Sequence, residues 1–266
     1  MNYKCLSIAG FDGSGGAGIQ ADLKTFSALE CYGMTVLTAI AAQNTCGVKS
    51  CYDIPLQCIQ DQLETIFDDI RPDAIKIGML YSAPIITLIA DFLTQRAKNI
   101  PIVLDPVMLA KSGDPLLKPD AIDALKTKLM PLCMLITPNL PEAEALVGEQ
   151  ASTNALAQAL LQLKSKAVLL KGGHAKGNTA DDILLTQTGE THTLSSERIQ
   201  SKNTHGTGCT LSAAICSYLA KGESLLNACD KAKKYLHGAM LASKDHSVGK
   251  GHGPVHHFYA WWPATE

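Results

Sequence analysis

One loop of the chain has the residue types of an anion-binding site. Residues 203–210 have the sequence NTHGTGCT and lead into the small, apolar segment Leu211–Ile215, which predicts that a helix begins near Gly208. The first amides of a helix are unpaired and lie at the positive end of its dipole, where phosphate groups bind. The same dipole favours the thiolate of Cys209. The loop therefore predicts chemistry on a phosphate, against the alternative of an ordinary turn with a buried cysteine.

A second glycine-rich loop lies between a predicted strand and a predicted helix. Its segment Gly13-Ser14-Gly15-Gly16-Ala17-Gly18 has the spacing of a dinucleotide-binding fingerprint. An oxidoreductase would also need an acidic residue at the end of the second strand, where this chain has Gln43-Asn44. The glycines therefore favour close approach to another small ligand. Asp22, on the following helix, is either a ligand-binding carboxylate or a solvated residue that the helix dipole favours.

Two carboxylates and a lysine follow three other predicted strands. Because ligands of open α/β sheets bind at the carboxyl ends of the strands, Asp105, Glu142 and Lys171 are candidate site residues. The two acids suit a hydrated Mg²⁺ that holds nucleotide phosphates. The alternative for Glu142 is a place in the first turn of a helix begun by Pro141. The chain has no Walker-type loop, so a nucleoside triphosphate would be held without one.

Composition narrows the class of partner. The 266 residues are 46% hydrophobic and carry a formal charge of −2, which favours one α/β domain spanning 1–266 with a small-molecule partner, and no nucleic acid. No apolar run approaches the length of about 18 residues that a membrane span needs. Nine cysteines without C-x-x-C pairs, and only a short apolar run after the first residues, predict a reduced, cytoplasmic protein without a signal peptide.

Strand-like and helix-like segments alternate, which predicts a mostly parallel sheet covered by helices on both faces. The predicted strands are Cys5–Ala9, Val36–Ala41, Ala74–Ile77, Ile102–Leu104, Met134–Ile136 and Val168–Leu170. The predicted helices are Ile19–Leu29, Leu56–Phe67, Ile85–Arg96, Ala121–Leu129, Ala155–Leu163, Leu211–Leu219 and Leu225–Ala242. Alternating residues over Ala180–Ile199, with turn residues at 188–190, predict antiparallel strands at one edge.

Eight stretches, in order along almost the whole chain, are specific enough for comparison with known families. They are Ser14–Leu29, Ala42–Gly47, Lys76–Leu80, Asp105–Leu117, Leu135–Glu142, Lys171–His174, Lys202–Ala213 and Gly251–Phe258. They resemble the ribokinase-like superfamily and, within it, the hydroxymethylpyrimidine/phosphomethylpyrimidine kinases of thiamine biosynthesis.

The resemblance implies a fold and an activity. The fold is a ribokinase-like three-layer α/β/α sandwich, with a mostly parallel central sheet and antiparallel edge strands. The activity is ATP-dependent phosphorylation of 4-amino-5-hydroxymethyl-2-methylpyrimidine to its monophosphate, and then of the monophosphate to the diphosphate. It implies Mg²⁺ as cofactor, ATP as cosubstrate and, because similar kinases are usually dimers, a homodimer.

The resemblance also implies roles for residues. Gln43 corresponds to the glutamine that hydrogen-bonds the aminopyrimidine ring, which suits an amide that both donates and accepts. Gly10, Asp22, Met79 and Val107 match other substrate-binding positions, and the last two give the ring apolar walls. The implied metal ligands are Asp105 and Glu142. The implied catalytic residues are Lys171, Gly206, Thr207, Gly208 and Cys209, and the implied nucleotide-binding residues are Asn139, Lys171, Thr207 and Gly208.

Cys209 occupies the position at which sugar kinases of the superfamily carry an aspartate base. A thiol adds less repulsion than a carboxylate towards an acceptor that already bears phosphate, which is a hypothesis for how one pocket serves both steps. In the first loop, Phe11 and Gly13 depart from the family's usual residues and put substrate preference in doubt. A pyridoxal or pyridoxine kinase and a non-catalytic pyrimidine sensor are the alternatives.

Two conspicuous segments have ordinary interpretations. Lys231, Lys233 and Lys234 are expected on a solvated helix face. His256 and His257, together with the aromatic residues 258–262, are expected to pack the C-terminal end of the chain rather than bind a metal, because no cysteine or aspartate accompanies them at ligand spacing.

Overall fold

The computed structural model describes residues 2–110, 113–118, 120–173 and 177–262. Nine strands form one sheet. They are β1 Lys4–Asp12, β2 Tyr32–Asn44, β3 Gly47–Asp53, β4 Ala74–Ile77, β5 Ile102–Leu104, β6 Leu135–Ile136, β7 Ala167–Leu170, β8 Thr179–Thr186 and β9 Thr191–Glu197. The helices are α1 Gly18–Ala28, α2 Leu56–Asp69, α3 Ala83–Arg96, α4 Ala121–Ala124, α5 Leu140–Val147, α6 Thr153–Leu161, α7 Thr207–Ala220 and α8 Leu225–Ser243.

The strand order is β3-β2-β1-β4-β5-β6-β7-β8-β9. The six strands from β2 to β7 in this order are parallel, whereas β3 at one edge and β8 and β9 at the other are antiparallel to their neighbours. The prediction of a mostly parallel sheet with antiparallel edge strands is confirmed, and the antiparallel strands predicted within Ala180–Ile199 are β8 and β9.

Two apolar cores place the helices in layers on opposite faces of the sheet. Helices α2 to α6 contribute to one core, in which side chains such as Ile59, Ile89 and Leu160 are fully buried. Helices α1, α7 and α8 contribute to the other core with residues such as Phe26 and Ile215. Burial of apolar side chains on both faces of the parallel strands is what makes a three-layer α/β/α sandwich stable.

The chain crosses from one side of β1 to the other between β2 and β4, since β1 pairs with both. Ligands of open α/β sheets bind in the crevice that forms at such a switch point. The loop after β1 and the residues after β4, including Gly78 and Met79, therefore line the crevice where chemistry is expected.

The second strand differs from its prediction. It was expected to end at Ala41, but β2 continues to Asn44 and forms a hairpin with β3, which the sequence pattern missed. Polar residues such as Gln43 and Lys49 interrupt the apolar alternation there, because this edge of the sheet is only half buried. Gln43 thus lies in a strand, at a position where the register shifts, rather than in a loop after it.

Helix α4 is shorter than its prediction and continues as a π-helical turn over Leu125–Leu129.

One of the three lysines of α8 that were expected on a solvated face is buried. Lys231 and Lys234 are exposed, as expected, but Lys233 is buried and its Nζ donates a hydrogen bond of 2.6 Å to Asp182 of β8. An ion pair compensates for the loss of solvation, so apolar periodicity alone could not identify this buried lysine.

Of the C-terminal residues, His257 packs as expected, whereas Trp261 and Trp262 are 59% and 61% exposed. His257 is buried, its Nε2 lies 3.1 Å from Thr210 Oγ1, and its backbone oxygen accepts a hydrogen bond from Tyr235. Burial lowers the pKa of His257 to about 3, so this imidazole is neutral. No helix among the described residues is long and apolar enough to cross a membrane. All nine cysteines lie within that part of the chain and are free thiols.

Candidate active site

The loop that leads into α7 packs directly against the glycine-rich loop after β1. Gly206 has a φ of +77° and caps the helix, which begins at Thr207, one residue before the predicted start. A Cβ at Gly206 would lie 1.7 Å from the backbone oxygen of Gly16, so only glycine permits this approach. No side chain in the described part of the chain caps α7. The amides of Gly208 and Cys209 are therefore available to an anionic ligand, whereas that of Thr207 lies 3.5 Å from the oxygen of Thr204.

The predicted charged residues meet at this helix end. Lys171 Nζ donates a hydrogen bond of 2.8 Å to Asp105 Oδ1 and lies 3.9 Å from Glu142 Oε2. A Cβ built on Gly208 would lie 3.1 Å from Asp105 Oδ2 and 3.4 Å from Lys171 Nζ. Two acids, one cation and the N terminus of α7 therefore converge, as their positions after β5, β6 and β7 suggested.

Glu142 is both a residue in the first turn of a helix and a carboxylate of the charged cluster, the two roles that the sequence left open. It is the third residue of α5 and forms a capping box with Asn139, in which each side chain accepts a hydrogen bond of 2.9 Å from the other's backbone. Burial raises the pKa of Glu142 to about 7, while Lys171 opposes the rise and Asp105 adds to it. A carboxyl group so close to half-ionisation near neutral pH would gain charge from a second cation. Asn139, predicted to bind nucleotide, already uses its side-chain oxygen in the cap.

Cys209 does not have the favoured thiolate that its place in the first turn of α7 predicted. Burial raises the pKa of its thiol to about 11; Lys76 and the amide of Gly18 lower it, but Asp22 and Asp105 raise it further. The dipole was expected to dominate, but desolvation and two neighbouring carboxylates outweigh it. In this structure Cys209 is a neutral thiol at pH 7.

Asp22 is fully buried beside Cys209, and both of its oxygens have partners. Lys76 Nζ donates hydrogen bonds of 2.9 and 2.8 Å to its two oxygens, and Ser7 Oγ donates one of 2.5 Å. Burial alone would lower the pKa of Lys76, but Asp22 and the neighbouring acidic groups raise it above its usual value. The lysine is thus charged, and Asp22 is neither a solvated helix residue nor a carboxylate with an unused oxygen.

Lys76 is a site residue that the sequence reasoning missed. It lies in β4, opposite Ser7 of β1, at the switch point of the sheet, and it is fully buried. A lysine in the otherwise apolar strand Ala74–Ile77 was the available signal, since a charged side chain is almost never buried without a partner.

The residues expected to hold a flat ring lie near one another. Met79 belongs to a small apolar cluster against which Val107 and Val48 pack. A Cβ at Gly10 would lie 2.8 Å from Met79 Sδ, so Gly10 borders the same cluster. Gln43 pairs with Val48 across the hairpin, and no hydrogen bond among the described residues uses its side-chain amide. An apolar wall with an amide beside it suits an aromatic heterocycle.

Asp12 and His205 connect the two glycine-rich loops, and the sequence reasoning identified neither. Asp12 accepts hydrogen bonds from Ser14 and from the amides of Gly16 and Ala17, and His205 Nε2 lies 2.8 Å from its Oδ2. Burial alone would raise the pKa of Asp12, but these hydrogen bonds, led by the one from His205, hold it well below its usual range. An ionised carboxylate only accepts, so Nε2 carries the proton of this bond.

Replacement of Asp12 by asparagine is expected to lower the free energy of unfolding at pH 7 by about 1–3 kcal/mol, because an amide nitrogen cannot accept the bonds that Oδ2 accepts. The pKa of Asp12 is lower in the folded chain than in the unfolded one. The stabilisation is therefore complete above the unfolded value of about 3.9 and is lost as pH falls through the folded value. Urea unfolding of both proteins from pH 7 to pH 3 measures this. A constant difference between them down to pH 3 would contradict the assignment.

The other residues singled out in the sequence occupy varied positions. Thr207 Oγ1 donates a hydrogen bond of 3.1 Å to the oxygen of Thr204, within the loop. Phe11 is 37% exposed and lies in β1 rather than in the first loop, and a Cβ at Gly13 would lie 3.3 Å from its ring. His174 lies outside the described residues.

The overall architecture matches solved kinases. The ADP complex of pyridoxal kinase from Bacillus subtilis superposes with a TM-score of 0.88 at 38% identity, covering 98% of this chain and 99% of that chain. Phosphomethylpyrimidine kinase from Clostridium difficile gives 0.78 at 45% identity, covering 90% and 99%. The sheet order and the charged cluster at the N terminus of α7 thus define an enzyme of the ribokinase-like class, a small-molecule kinase.

The sequence comparisons are more specific. The profile of the phosphomethylpyrimidine kinase family matches residues 12–256. The hydroxymethylpyrimidine/phosphomethylpyrimidine kinase of Salmonella typhimurium is 51% identical over an alignment of 267 positions, which covers 98% of this chain and 100% of that protein. The chain belongs to the phosphomethylpyrimidine kinase family.

Proposed function

We propose that the protein transfers phosphate from ATP to 4-amino-5-hydroxymethyl-2-methylpyrimidine and then to the resulting monophosphate, as a step of thiamine biosynthesis. The relatives with this activity match nearly the whole chain. The observation that carries the proposal is Lys171, whose amine lies 2.8 Å from Asp105 and directly before the open N terminus of α7. Cations and amides that converge on one point stabilise the charge of a phosphoryl group in transfer.

The acceptor and the transferred phosphate would bind at opposite ends of the site. The apolar wall of Met79 and Val107 holds the ring, and the side-chain amide of Gln43 hydrogen-bonds its ring nitrogen and amino group. The hydroxymethyl group then points towards Cys209 and the amides of Gly206–Cys209. Lys171 binds the moving phosphate, and the fixed ring positions the acceptor oxygen for in-line attack.

The residues present fit a magnesium ion. Mg²⁺ is usually held by one or two carboxylates together with waters and phosphate oxygens, and Asp105 and Glu142 provide such a pair. When bound, the ion would neutralise the phosphates of ATP; within the described residues, no cluster of three or more metal-binding side chains offers a full protein cage.

The proposed enzyme is a single-domain, cytoplasmic homodimer. Residues 1–266 form a single kinase domain, which is supported by the one sheet that all nine strands share. The protein is a homodimer, as similar kinases usually are. It acts in the cytoplasm on small molecules, without nucleic acid or a membrane as partner, which agrees with its near-neutral charge and its nine free thiols.

Pyridoxal is the second candidate acceptor. The specific observation in its favour is the TM-score of 0.88 with a pyridoxal kinase, against 0.78 with the phosphomethylpyrimidine kinase. Sequence identity favours the pyrimidine instead, because it is 45% with the phosphomethylpyrimidine kinase and 38% with the pyridoxal kinase.

The test is ADP release by the purified protein with ATP and Mg²⁺, with hydroxymethylpyrimidine, its monophosphate and pyridoxal offered separately. Turnover of both pyrimidines with little turnover of pyridoxal is the expected result. Turnover of pyridoxal alone would show that the protein is a pyridoxal kinase. Binding of the pyrimidines without any ADP release would leave the alternative of a non-catalytic sensor.

A further inference from the structure

The C-terminal segment Gly249–Pro254, which has the sequence GKGHGP, has no part in the function proposed above. We call it the strap. It lies between the turn of the β2–β3 hairpin and the loop that precedes α7, and it contacts both. The hairpin carries Gln43, and the loop carries the predicted anion site, so the strap joins the two ends of the active site.

At the hairpin end, the strap binds Thr45. The amide of Gly251 donates a hydrogen bond of 3.1 Å to Thr45 Oγ1, and the amide of His252 donates one of 2.9 Å to the backbone oxygen of Thr45. A Cβ at Gly251 would lie 2.0 Å from that oxygen. The fit between the two backbones is thus too close for any residue other than glycine.

At the other end, the strap binds the loop before α7. The amide of His205 donates a hydrogen bond of 3.0 Å to the oxygen of Gly253, and a Cβ at Gly253 would lie 2.0 Å from Asn203 Oδ1. His205 also binds Asp12 and directly precedes Gly206, the cap of α7. A shift of the strap would therefore move the cap of the anion site.

The tip of the hairpin is supported from outside because the ladder is irregular next to Gln43, although Gln43 itself pairs with Val48. Gln43 lies where the register between β2 and β3 shifts, and such bulges disrupt the ladder locally. The turn is held internally by the hydrogen bond of 2.8 Å from the amide of Cys46 to Asn44 Oδ1. A two-stranded ribbon at the edge of a sheet is only marginally stable by itself, so contacts from outside it decide where its tip lies.

We propose that Thr45 is a positioning residue that acts through Gln43. By binding the strap, it holds the tip of the hairpin, and with it the side-chain amide of Gln43, in the position that binds the acceptor ring. This inference rests on the proposed function, because it takes the acceptor to be a heterocycle that Gln43 recognises.

The test compares two substitutions at the same position. Thr45→Val keeps the shape of the side chain but leaves the amide of Gly251 without its acceptor. We expect the KM for hydroxymethylpyrimidine to rise roughly five- to tenfold, from the loss of one hydrogen bond, with kcat and the KM for ATP within about twofold of the unsubstituted protein. Thr45→Ser keeps the hydroxyl group and is expected to recover most of the affinity. A general loss of stability would not follow the hydroxyl group in this way.

Two further variants separate positioning from other effects. In a Gln43→Leu background, where the ring contact is already lost, Thr45→Val should add less than a twofold rise in KM, since coupled residues are not additive. Thr127→Val removes a similar hydroxyl hydrogen bond, of 2.6 Å to Asp123, from a π-helical turn outside the site and is expected to change neither constant. If Thr45→Val fails to fold, Thr45→Ala removes the same hydroxyl group with a smaller side chain and should give the same rise in KM.

The outcomes separate the two proposals. If the unsubstituted protein phosphorylates hydroxymethylpyrimidine and Thr45→Val has the same KM, the inference about Thr45 is overturned while the proposed function stands. Full additivity with Gln43→Leu also overturns it. If the unsubstituted protein does not phosphorylate the pyrimidine, the proposed function fails first, and the inference fails with it.

Discussion

Replacement of Lys171 by methionine is expected to lower kcat by about 10²–10³-fold with hydroxymethylpyrimidine as acceptor, the effect of removing one preorganised electrostatic group from a site of charge development. Methionine keeps much of the length of the side chain but removes the charge. Asp105 and Glu142 would then face the incoming phosphate without the cation that lies 2.8 and 3.9 Å from them. The KM for the pyrimidine should change little, because the ring is held at the other end of the site.

The matched control is Lys234→Met, which removes an exposed lysine of α8 that pairs with Asp230 at 2.7 Å. Exposed pairs of this kind contribute at most about 1 kcal/mol, so this variant should keep its activity. ADP release at saturating ATP and pyrimidine, on protein shown to be folded by circular dichroism, measures both. A Lys171→Met kcat within threefold of the unsubstituted protein would remove Lys171 from the chemistry.

The convergence of Asp105 and Lys171 was predictable from the sequence for a topological reason. Parallel strands end at the same edge of a sheet, so polar residues that directly follow buried strands are brought together whatever the details of packing. The order of the strands was not needed for that inference. A local pattern, by contrast, located the helix start at Thr207 to within one residue, because glycines followed by small apolar residues are typical of the start of a helix.

The residues that the sequence reasoning missed are held by long-range pairing. Asp12 and His205 are 193 positions apart, and Lys76 and Asp22 are 54 apart. No local period or motif links the members of either pair. Each of these charged residues can be buried at low cost only when it is paired with its partner. Its role can therefore be identified only once the fold has brought the two residues together.

The raised pKa of Cys209 shows a different limit. The helix dipole is a local property and was read correctly from the sequence, but desolvation and the charges of Asp22 and Asp105 depend on the assembled site. Local chemistry therefore predicted the wrong direction. The balance of these effects decides whether Cys209 can act as a base, and that can be measured.

If Cys209 is the base, its pKa of about 11 determines how the rate depends on pH. The fraction of thiolate rises about tenfold for each pH unit below the pKa, so kcat should increase with this slope between pH 7 and pH 9. Cys209→Ala is expected to lower kcat by about 10²–10⁴-fold, the usual contribution of a general base, and to abolish the slope. A kcat for Cys209→Ala within a few fold of the unsubstituted protein would show that the thiol does not take the proton.

Cys209→Asp tests why a thiol occupies this position. An aspartate has a much lower intrinsic pKa than a cysteine and should move the pH dependence of kcat to lower pH, but its ionised form would add a negative charge beside Asp22 and Asp105. An acceptor that already bears phosphate is repelled by that charge more than the uncharged alcohol is, because like charges in a desolvated site interact strongly. The second phosphorylation should therefore lose more rate than the first when each is measured separately by ADP release. Equal losses in the two steps would mean that the neutral thiol is not what lets one pocket accept both substrates.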